Sequence, residues 1–430
     1  MDINVDIFFG IFTFIALYYL LMYIWSFKKV ELPVADVGSI GYVLLVPALN
    51  EERVISQTCT QMERLVARLH VVVIDDGSDD ETANIVKNYE GETIHLFQRK
   101  HPLARQGKGM ALNDAYAWAQ TQLKEWFPDL KENQIIIGVT DSDVYMDQKV
   151  INEVTSMFQS SADIGAVQAP VSIKGANENL WLLMQDIEFQ AFFHFIQKAR
   201  NWISSVAMGG NGQFTRYSAM KKLGPQPWSR ALTEDIDLGM ALTGQGQRIC
   251  FTGKTPVVQH GLTSFTRLIK QRSRWVQGHY QVWRRIKSLW QSNSRLVTKL
   301  DSTLYLFMII IPLILFADYV LGILSMFGLV HAHSNWMGSL QNFGLWVPQA
   351  VQLLLAFSIQ LIFLPGYSKV SNIKIPWYAG PGLMITFALY TAFIWIIASF
   401  MAFYRMARGQ WGWIKTEREM VSSADINVSA

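Results

Sequence analysis

The chain has 430 residues, of which 50% are hydrophobic, 13% aromatic and only 17% charged, with a net charge of +3. That length holds one large domain plus membrane segments, and so small a positive charge does not indicate a nucleic-acid partner. Cys59 and Cys250 are the only cysteines and give no metal-binding spacing, which fits a reduced, cytosol-facing domain.

Residues 6–27 carry no charge after Asp6 and are rich in Phe, Ile, Leu and Tyr. About twenty apolar residues is the length a helix needs to cross a bilayer. A cleaved signal peptide would begin basic and end in small residues; here the start is acidic and the basic pair Lys28-Lys29 follows the run. Residues 1–29 are therefore expected to form an uncleaved span. Basic residues favour the cytoplasmic side, so the N-terminus is expected outside and residue 30 onward inside.

Residues 30–260 read as a soluble α/β domain. Short β-rich runs at Tyr42–Val46, His70–Ile74, Thr93–Leu96, Ile135–Val139 and Ala166–Gln168 alternate with amphipathic stretches such as Glu51–Leu69 and Thr82–Tyr89. Such alternation predicts a mostly parallel sheet with helices on both faces. Ligands of such sheets bind at the carboxyl ends of the strands.

Polar residues follow several of these strands. Val72-Val73-Ile74 runs into Asp75-Asp76-Gly77-Ser78; two carboxylates there can accept hydrogen bonds from a base or from ribose hydroxyls, or they can cap a turn into a helix. Gly107-Lys108-Gly109 opens a helical stretch, Met110 to Ala119, without the spacing of a P-loop. Lys108 is either a diphosphate-binding cation or a solvated lysine. Ile137-Gly138-Val139-Thr140 ends in Asp141-Ser142-Asp143. In an extended chain that spacing puts both carboxylates on one face, which suits Mg²⁺ or Mn²⁺ carrying a diphosphate; the rival is a surface turn. Thr233-Glu234-Asp235 precedes the helical stretch Ile236–Leu242. Asp235 is either its cap or a general base.

From about residue 261 to 300, Phe265, Leu268, Trp275, Trp283 and Trp290 are interleaved with Arg and Lys. A basic, Trp-rich amphipathic helix lies naturally in a membrane interface. Gln271-Arg272-Ser273-Arg274-Trp275 within it combines a charge-assisted phosphate donor with a stacking surface. Apolar runs follow at about 303–330, 345–365 and 380–404, inside a membrane region expected at 301–405. The first holds Pro312 and Asp318 and is expected to be broken, re-entrant or cavity-lining. Three crossings from the cytosol would leave the tail outside, yet Arg405, Arg408, Lys415 and Arg418 argue for a cytosolic tail at 406–430. One run is therefore expected not to cross, and the Asp318 segment is the candidate.

In order, Val46-Pro47-Ala48-Leu49-Asn50-Glu51-Glu52, Asp75-Asp76-Gly77-Ser78, Asp141-Ser142-Asp143, Thr233-Glu234-Asp235 and Gln271-Arg272-Ser273-Arg274-Trp275 resemble the successive motifs of membrane-bound family-2 glycosyltransferases, such as cellulose, hyaluronan and poly-N-acetylglucosamine synthases. The resemblance covers about residues 40–280. It implies an A-type nucleotide-diphosphosugar glycosyltransferase fold. Pro47, Glu51 and Asp75 would line the nucleoside pocket with Asp76 beside them. Asp141 would contact the diphosphate and Asp143 would ligate the metal. Asp235 would be the base of an inverting displacement. Gln271, Arg274 and Trp275 would shape the acceptor end and hold the diphosphate, with Glu234 on the acceptor side. Trp411 to Arg418 resembles a cytosolic stretch near the active site of such synthases. The implied activity is extension of a β-linked polysaccharide from a UDP-sugar at the bacterial plasma membrane; the same base and metal would serve a single addition to a membrane lipid acceptor. A homo-oligomer or accessory export and regulatory subunits are admitted as further partners. Two departures bear on the product. The spans are too few to make a full translocation channel an expectation for one protomer. Gly209 to Phe214 lacks the cysteine-bearing pattern of cellulose synthases, so glucose specificity does not follow.

Overall fold

The computed structural model describes residues 2–4, 6–28, 31–333, 364–371 and 373–412. In chain order the strands of the α/β domain are β1 (Gly41–Ala48), β2 (Arg68–Asp75), β3 (Ile94–Gln98), β4 (Ile135–Val139), β5 (Ile164–Gln168), β6 (Val171–Lys174), β7 (Gln213–Arg216), β8 (Arg248–Phe251) and β9 (Val257–His260). A seven-stranded sheet has the order β3-β2-β1-β4-β7-β5-β8, while β6 and β9 form a separate parallel pair. β1 is hydrogen-bonded in parallel to both β2 and β4, with Val46 opposite Val73 and Leu45 opposite Val139. Helices cover both faces, so β1, β2 and β4 are continuous apolar runs rather than alternating ones.

Strand order reverses between β1 and β4, and the crevice outside that reversal is where an α/β sheet accepts ligands. Pro47, Asp75, Asp76, Asp141 and Asp143 are all at or just beyond the carboxyl ends of β1, β2 and β4. β7 runs antiparallel between β4 and β5, with Gln213 opposite Val139. The loop before β7 therefore enters the crevice at the same edge.

All five expected strands are present, each within a few residues of its expected bounds. β6 to β9 were not expected. β7 is Gln-Phe-Thr-Arg and fully buried; it reads as a loop, but the Arg216 guanidinium donates to the carbonyls of Ile164 and Phe158 at 2.6 Å each and so satisfies itself inside. The stretch expected as Glu51–Leu69 is a helix only over Ile55–Glu63, because the Glu51 amide is drawn to Thr82 Oγ1 at 2.7 Å.

Among the described residues, three helices are long and apolar enough to cross a membrane: Asp6–Ser26, Leu296–Ser325 and Gly380–Ala407. The Asp318 segment belongs to the second, so its expected failure to cross finds no support. The break expected near Pro312 is a single 3₁₀ turn, Met308–Ile310. The 345–365 run lies outside the described residues except at its end, as do Lys415 and Arg418. The amphipathic helix Phe265–Val282 packs against the last span, with Leu268 and Ile269 buried against Phe387, Tyr390 and Ile394. It thus bridges the sheet domain and the membrane helices.

Candidate active site

A cavity of about 620 Å³ opens at the carboxyl edge of β1 and β4. Pro47, Glu51, Asp76, Lys108, Asp141 and Asp143 line it, and so do Glu234, Asp235, Gln271, Arg274 and Trp275. Of the residues expected at the site, only Asp75 is not on the wall. It is 3% exposed and its carboxylate closes the β2 turn, accepting from the Ser78 amide at 2.9 Å and Gln98 Nε2 at 3.3 Å. Asp76 faces the cavity and is held by the Arg99 guanidinium and by the Arg105 amide at 3.0 Å. Burial nevertheless raises its carboxyl above the ordinary range.

Lys108 opens the helix Lys108–Trp126. Its Nζ donates to Asp141 Oδ1 at 2.7 Å and lies 3.6 Å from Glu234 Oε1. Burial alone would lower the ammonium, but Asp141, Glu234 and Asp235 more than offset this and hold it above its usual range. The next residue must be glycine: a Cβ on Gly109 would stand 2.1 Å from the Ser229 carbonyl oxygen. The loop before β7 closes the same corner. The Asp141 amide donates to Asn211 Oδ1 at 2.7 Å, and Gln168 stitches the loop through the Gly209 amide and the Asn211 carbonyl, each at 2.7 Å.

Asp235 sits in the first turn of the helix Glu234–Gly244. One carboxylate oxygen accepts from the Ile236 amide at 2.9 Å. Burial, and then the adjacent Glu234 carboxylate, raise its carboxyl well above the usual range, against the opposing pull of Lys108. A base poised nearer neutrality is better matched to abstracting a hydroxyl proton. Backbone contact brings the two distant motifs together. A Cβ on Gly278 would lie 2.5 Å from Thr233 Cγ2, so the bridging helix can approach Thr233 only through a glycine. Gln281 Oε1 then accepts from the Leu232 amide at 2.7 Å.

The Gln271-to-Trp275 cluster divides its labour. Arg274 and Trp275 face the cavity, and the Arg274 Nε is buried without a hydrogen-bond partner. Arg272 points elsewhere: it is 1% exposed, pairs with Glu188 Oε2 at 2.7 Å, donates to Gln271 Oε1 at 2.6 Å and stacks 4.0 Å from the Trp275 ring centre. Glu188 also accepts from Tyr390 and Trp395 of the last span at 2.8 and 2.9 Å. Sequence reasoning missed Glu188; two acids, Asp186 and Glu188, inside the otherwise apolar helix Leu180–Gln190 were the available signal.

The cavity does not stop at the domain. It continues between the spans along Phe12 and Ile15, Phe192 and Ile196, and Ile309 and Leu315. At the opposite end, Asp141 and Asp143 put two carboxylates on one wall. Among the described residues no cluster of three or more His, Cys, Asp and Glu side chains could hold a metal alone. Two carboxylates fit Mg²⁺ or Mn²⁺, which keep waters and substrate phosphates in their remaining positions.

Residues 41–278 match the profile of a family described as glycosyltransferase like family 2. Over 251 residues the chain is 31% identical to a beta-monoglucosyldiacylglycerol synthase of Trichormus variabilis, covering 57% of this chain and 50% of that protein. It is 23% identical over 257 residues to a poly-beta-1,6-N-acetyl-D-glucosamine synthase of Staphylococcus aureus, covering 59% and 58%. The chain thus spans about half the length of the first of these curated relatives. A mannosyltransferase of Pyrobaculum calidifontis, solved in complex with GDP-Man and Mn²⁺, superposes with a TM-score of 0.55 over 90% of this chain and 95% of its own at 17% identity, a likeness of fold.

Proposed function

The chain belongs to glycosyltransferase family 2, with an A-type glycosyltransferase domain, and from that premise we propose that it transfers one sugar from a UDP-sugar to the hydroxyl of a membrane lipid, with inversion. One observation carries this reading: the cavity holding Asp235 is continuous with an apolar cleft between the spans. An alkyl chain is at home there and a hydrated glycan is not. The synthase of Trichormus variabilis, whose printed name gives a diacylglycerol product, supports it. Extension of a β-linked polysaccharide is the second reading, supported by the Trp275 stacking surface and by the staphylococcal relative.

In the proposed reaction Pro47, Glu51 and Asp76 hold the nucleoside, and Asp75 keeps the β2 turn that presents Asp76. Asp235 takes the proton of the acceptor hydroxyl as its oxygen bonds to the anomeric carbon on the face opposite the departing diphosphate. The C–O bond to the diphosphate breaks with its electron pair, and the product linkage is inverted. Lys108 and Arg274 lie where that charge collects, and burial strengthens their hold. Asp143, with Asp141 beside it, would hold a Mg²⁺ or Mn²⁺, which would supply further positive charge for the diphosphate. Gln271, Glu234 and Trp275 bound the acceptor end. Purified protein in vesicles, given labelled UDP-sugar and divalent metal, is expected to yield a solvent-extractable lipid product and none in chelator. High-mass polymer as the sole product would sink the acceptor assignment, and full activity in chelator the metal assignment.

We also propose a plasma-membrane location in which the helices Asp6–Ser26, Leu296–Ser325 and Gly380–Ala407 cross. Starting outside, these put the catalytic domain and the basic pair Arg405 and Arg408 on the cytosolic side, as the charge rule asks. A reporter fused after Ala430 should read as cytosolic; an external signal would refute this topology.

A further inference from the structure

Where the catalytic cavity meets the cleft between the spans, its wall changes from carboxylates to aromatic and aliphatic side chains. Arg200 stands at that boundary. It lines the cavity, is 1% exposed, and its Nη1 is buried without a hydrogen-bond partner. Its Nε lies 2.9 Å from Asp301 Oδ2, and its guanidinium lies 4.5 Å from the Tyr305 ring centre. Asp301 in turn accepts from Tyr18 of the first span at 2.9 Å. The chain reaches Arg200 through a π-helical segment, Ala191–Gln197. The wider turn suits a four-residue repeat, and Phe192, Ile196 and Arg200 all line the cavity. Such π turns recur at functional sites.

His279 also packs against Tyr305, its ring 5.6 Å from the tyrosine ring, and is on the cavity wall. His279 Nδ1 lies 2.8 Å from the Trp275 carbonyl oxygen, which can only accept. Nδ1 therefore carries the proton and Nε2 presents a lone pair. Burial lowers the imidazole's proton affinity and keeps it neutral.

Resting on the lipid-acceptor reading above, we propose that Arg200 and His279, both packed against Tyr305, form the headgroup subsite of that acceptor, and that it takes an uncharged glyceride rather than a lipid phosphate. The subsite offers one unpaired donor and one acceptor, the complement of an ester oxygen and a hydroxyl. Its charge is already balanced, because Asp301 neutralises Arg200. Lys108 on the same cavity is matched as well, pairing with Asp141 at 2.7 Å and lying 3.6 Å from Glu234, so it is not free to hold a lipid phosphate. The acyl chains would leave between the first and second spans, where Phe12 and Ile15 meet Ile311 and Leu315.

The double variant Arg200→Met/Asp301→Leu tests this, because it removes both charges together and leaves neither buried alone. Full-length protein in phosphatidylcholine vesicles is given diacylglycerol and labelled UDP-sugar. The KM for diacylglycerol is expected to rise about tenfold or more, as loss of a charged hydrogen bond predicts, with no matching rise in the donor KM; His279→Phe should shift the same ratio. An unchanged lipid KM overturns the subsite while leaving the lipid-acceptor reading intact, and so does a parallel rise in both KM values, which marks a structural role. Preferential labelling of phosphatidic acid or of a long-chain alcohol phosphate by the unmodified protein overturns the uncharged-headgroup assignment. Polymer as its only product overturns the underlying reading together with the subsite.

Discussion

Asp235→Asn is expected to lower kcat by about a thousandfold, inside the roughly 10²–10⁴ that a positioned base contributes, with little change in the donor KM. The amide keeps the shape and can still accept from the Ile236 amide, as the Asp235 carboxylate does at 2.9 Å, but it cannot take a proton. The pH profile carries the same signature. Burial first, and then Glu234, hold the Asp235 carboxyl above its usual range. It is therefore protonated and inactive at pH values where an ordinary carboxylate is already ionised. kcat/KM should rise with pH through the raised value and level off above it. Glu234→Gln removes the neighbouring like charge and should move that acid limb to lower pH. An Asn variant of undiminished kcat, or a limb that moves upward in Glu234→Gln, would refute the assignment of Asp235 as base.

The second large effect falls on a residue outside the cavity. Arg272→Met leaves the half-buried Glu188 on the cavity wall without its cation, a loss of up to about 3–5 kcal/mol, the cost of stripping one partner from a buried pair. It also removes the guanidinium that stacks 4.0 Å from Trp275. Denaturant melts of the purified protein should show that loss, and kcat/KM should fall as the stacking surface loosens. Glu188→Gln/Arg272→Met removes both charges and should recover much of the stability, because the Gln oxygen can still accept from Trp395 while its amide NH2 donates to the Tyr390 hydroxyl oxygen. A double variant no more stable than Arg272→Met would mean that the pair is not what holds this corner.

The strands that build the crevice were legible because buried parallel strands are unbroken apolar runs; Val72 to Ile74 and Ile135 to Val139 read directly. β7 did not read, since Gln213, Thr215 and Arg216 are polar and only their burial partners make them core. The carboxylates Asp141, Asp143 and Asp235 stood out as acids following apolar or turn segments. The Gln271-to-Trp275 cluster was legible as a whole but not in its parts. Successive helical residues turn by about 100°, so Arg272 cannot share the face of Arg274, and only the packed structure shows which arginine meets the cavity. Arg200, His279 and Glu188 belong to no local motif; Arg200 pairs with Asp301 and Glu188 with Trp395, 101 and 207 residues apart.

That last separation has a consequence for biosynthesis. A ribosome has made the nucleotide end of the cavity and Asp235 well before it reaches Tyr390 and Trp395. Until the helix Gly380–Ala407 enters the bilayer, Glu188 lacks two of its hydrogen-bond donors and the Trp275 corner lacks its backing. The acceptor end is therefore complete only when that late helix is in place, which on the lipid-acceptor reading proposed above ties the onset of sugar transfer to seating in the bilayer.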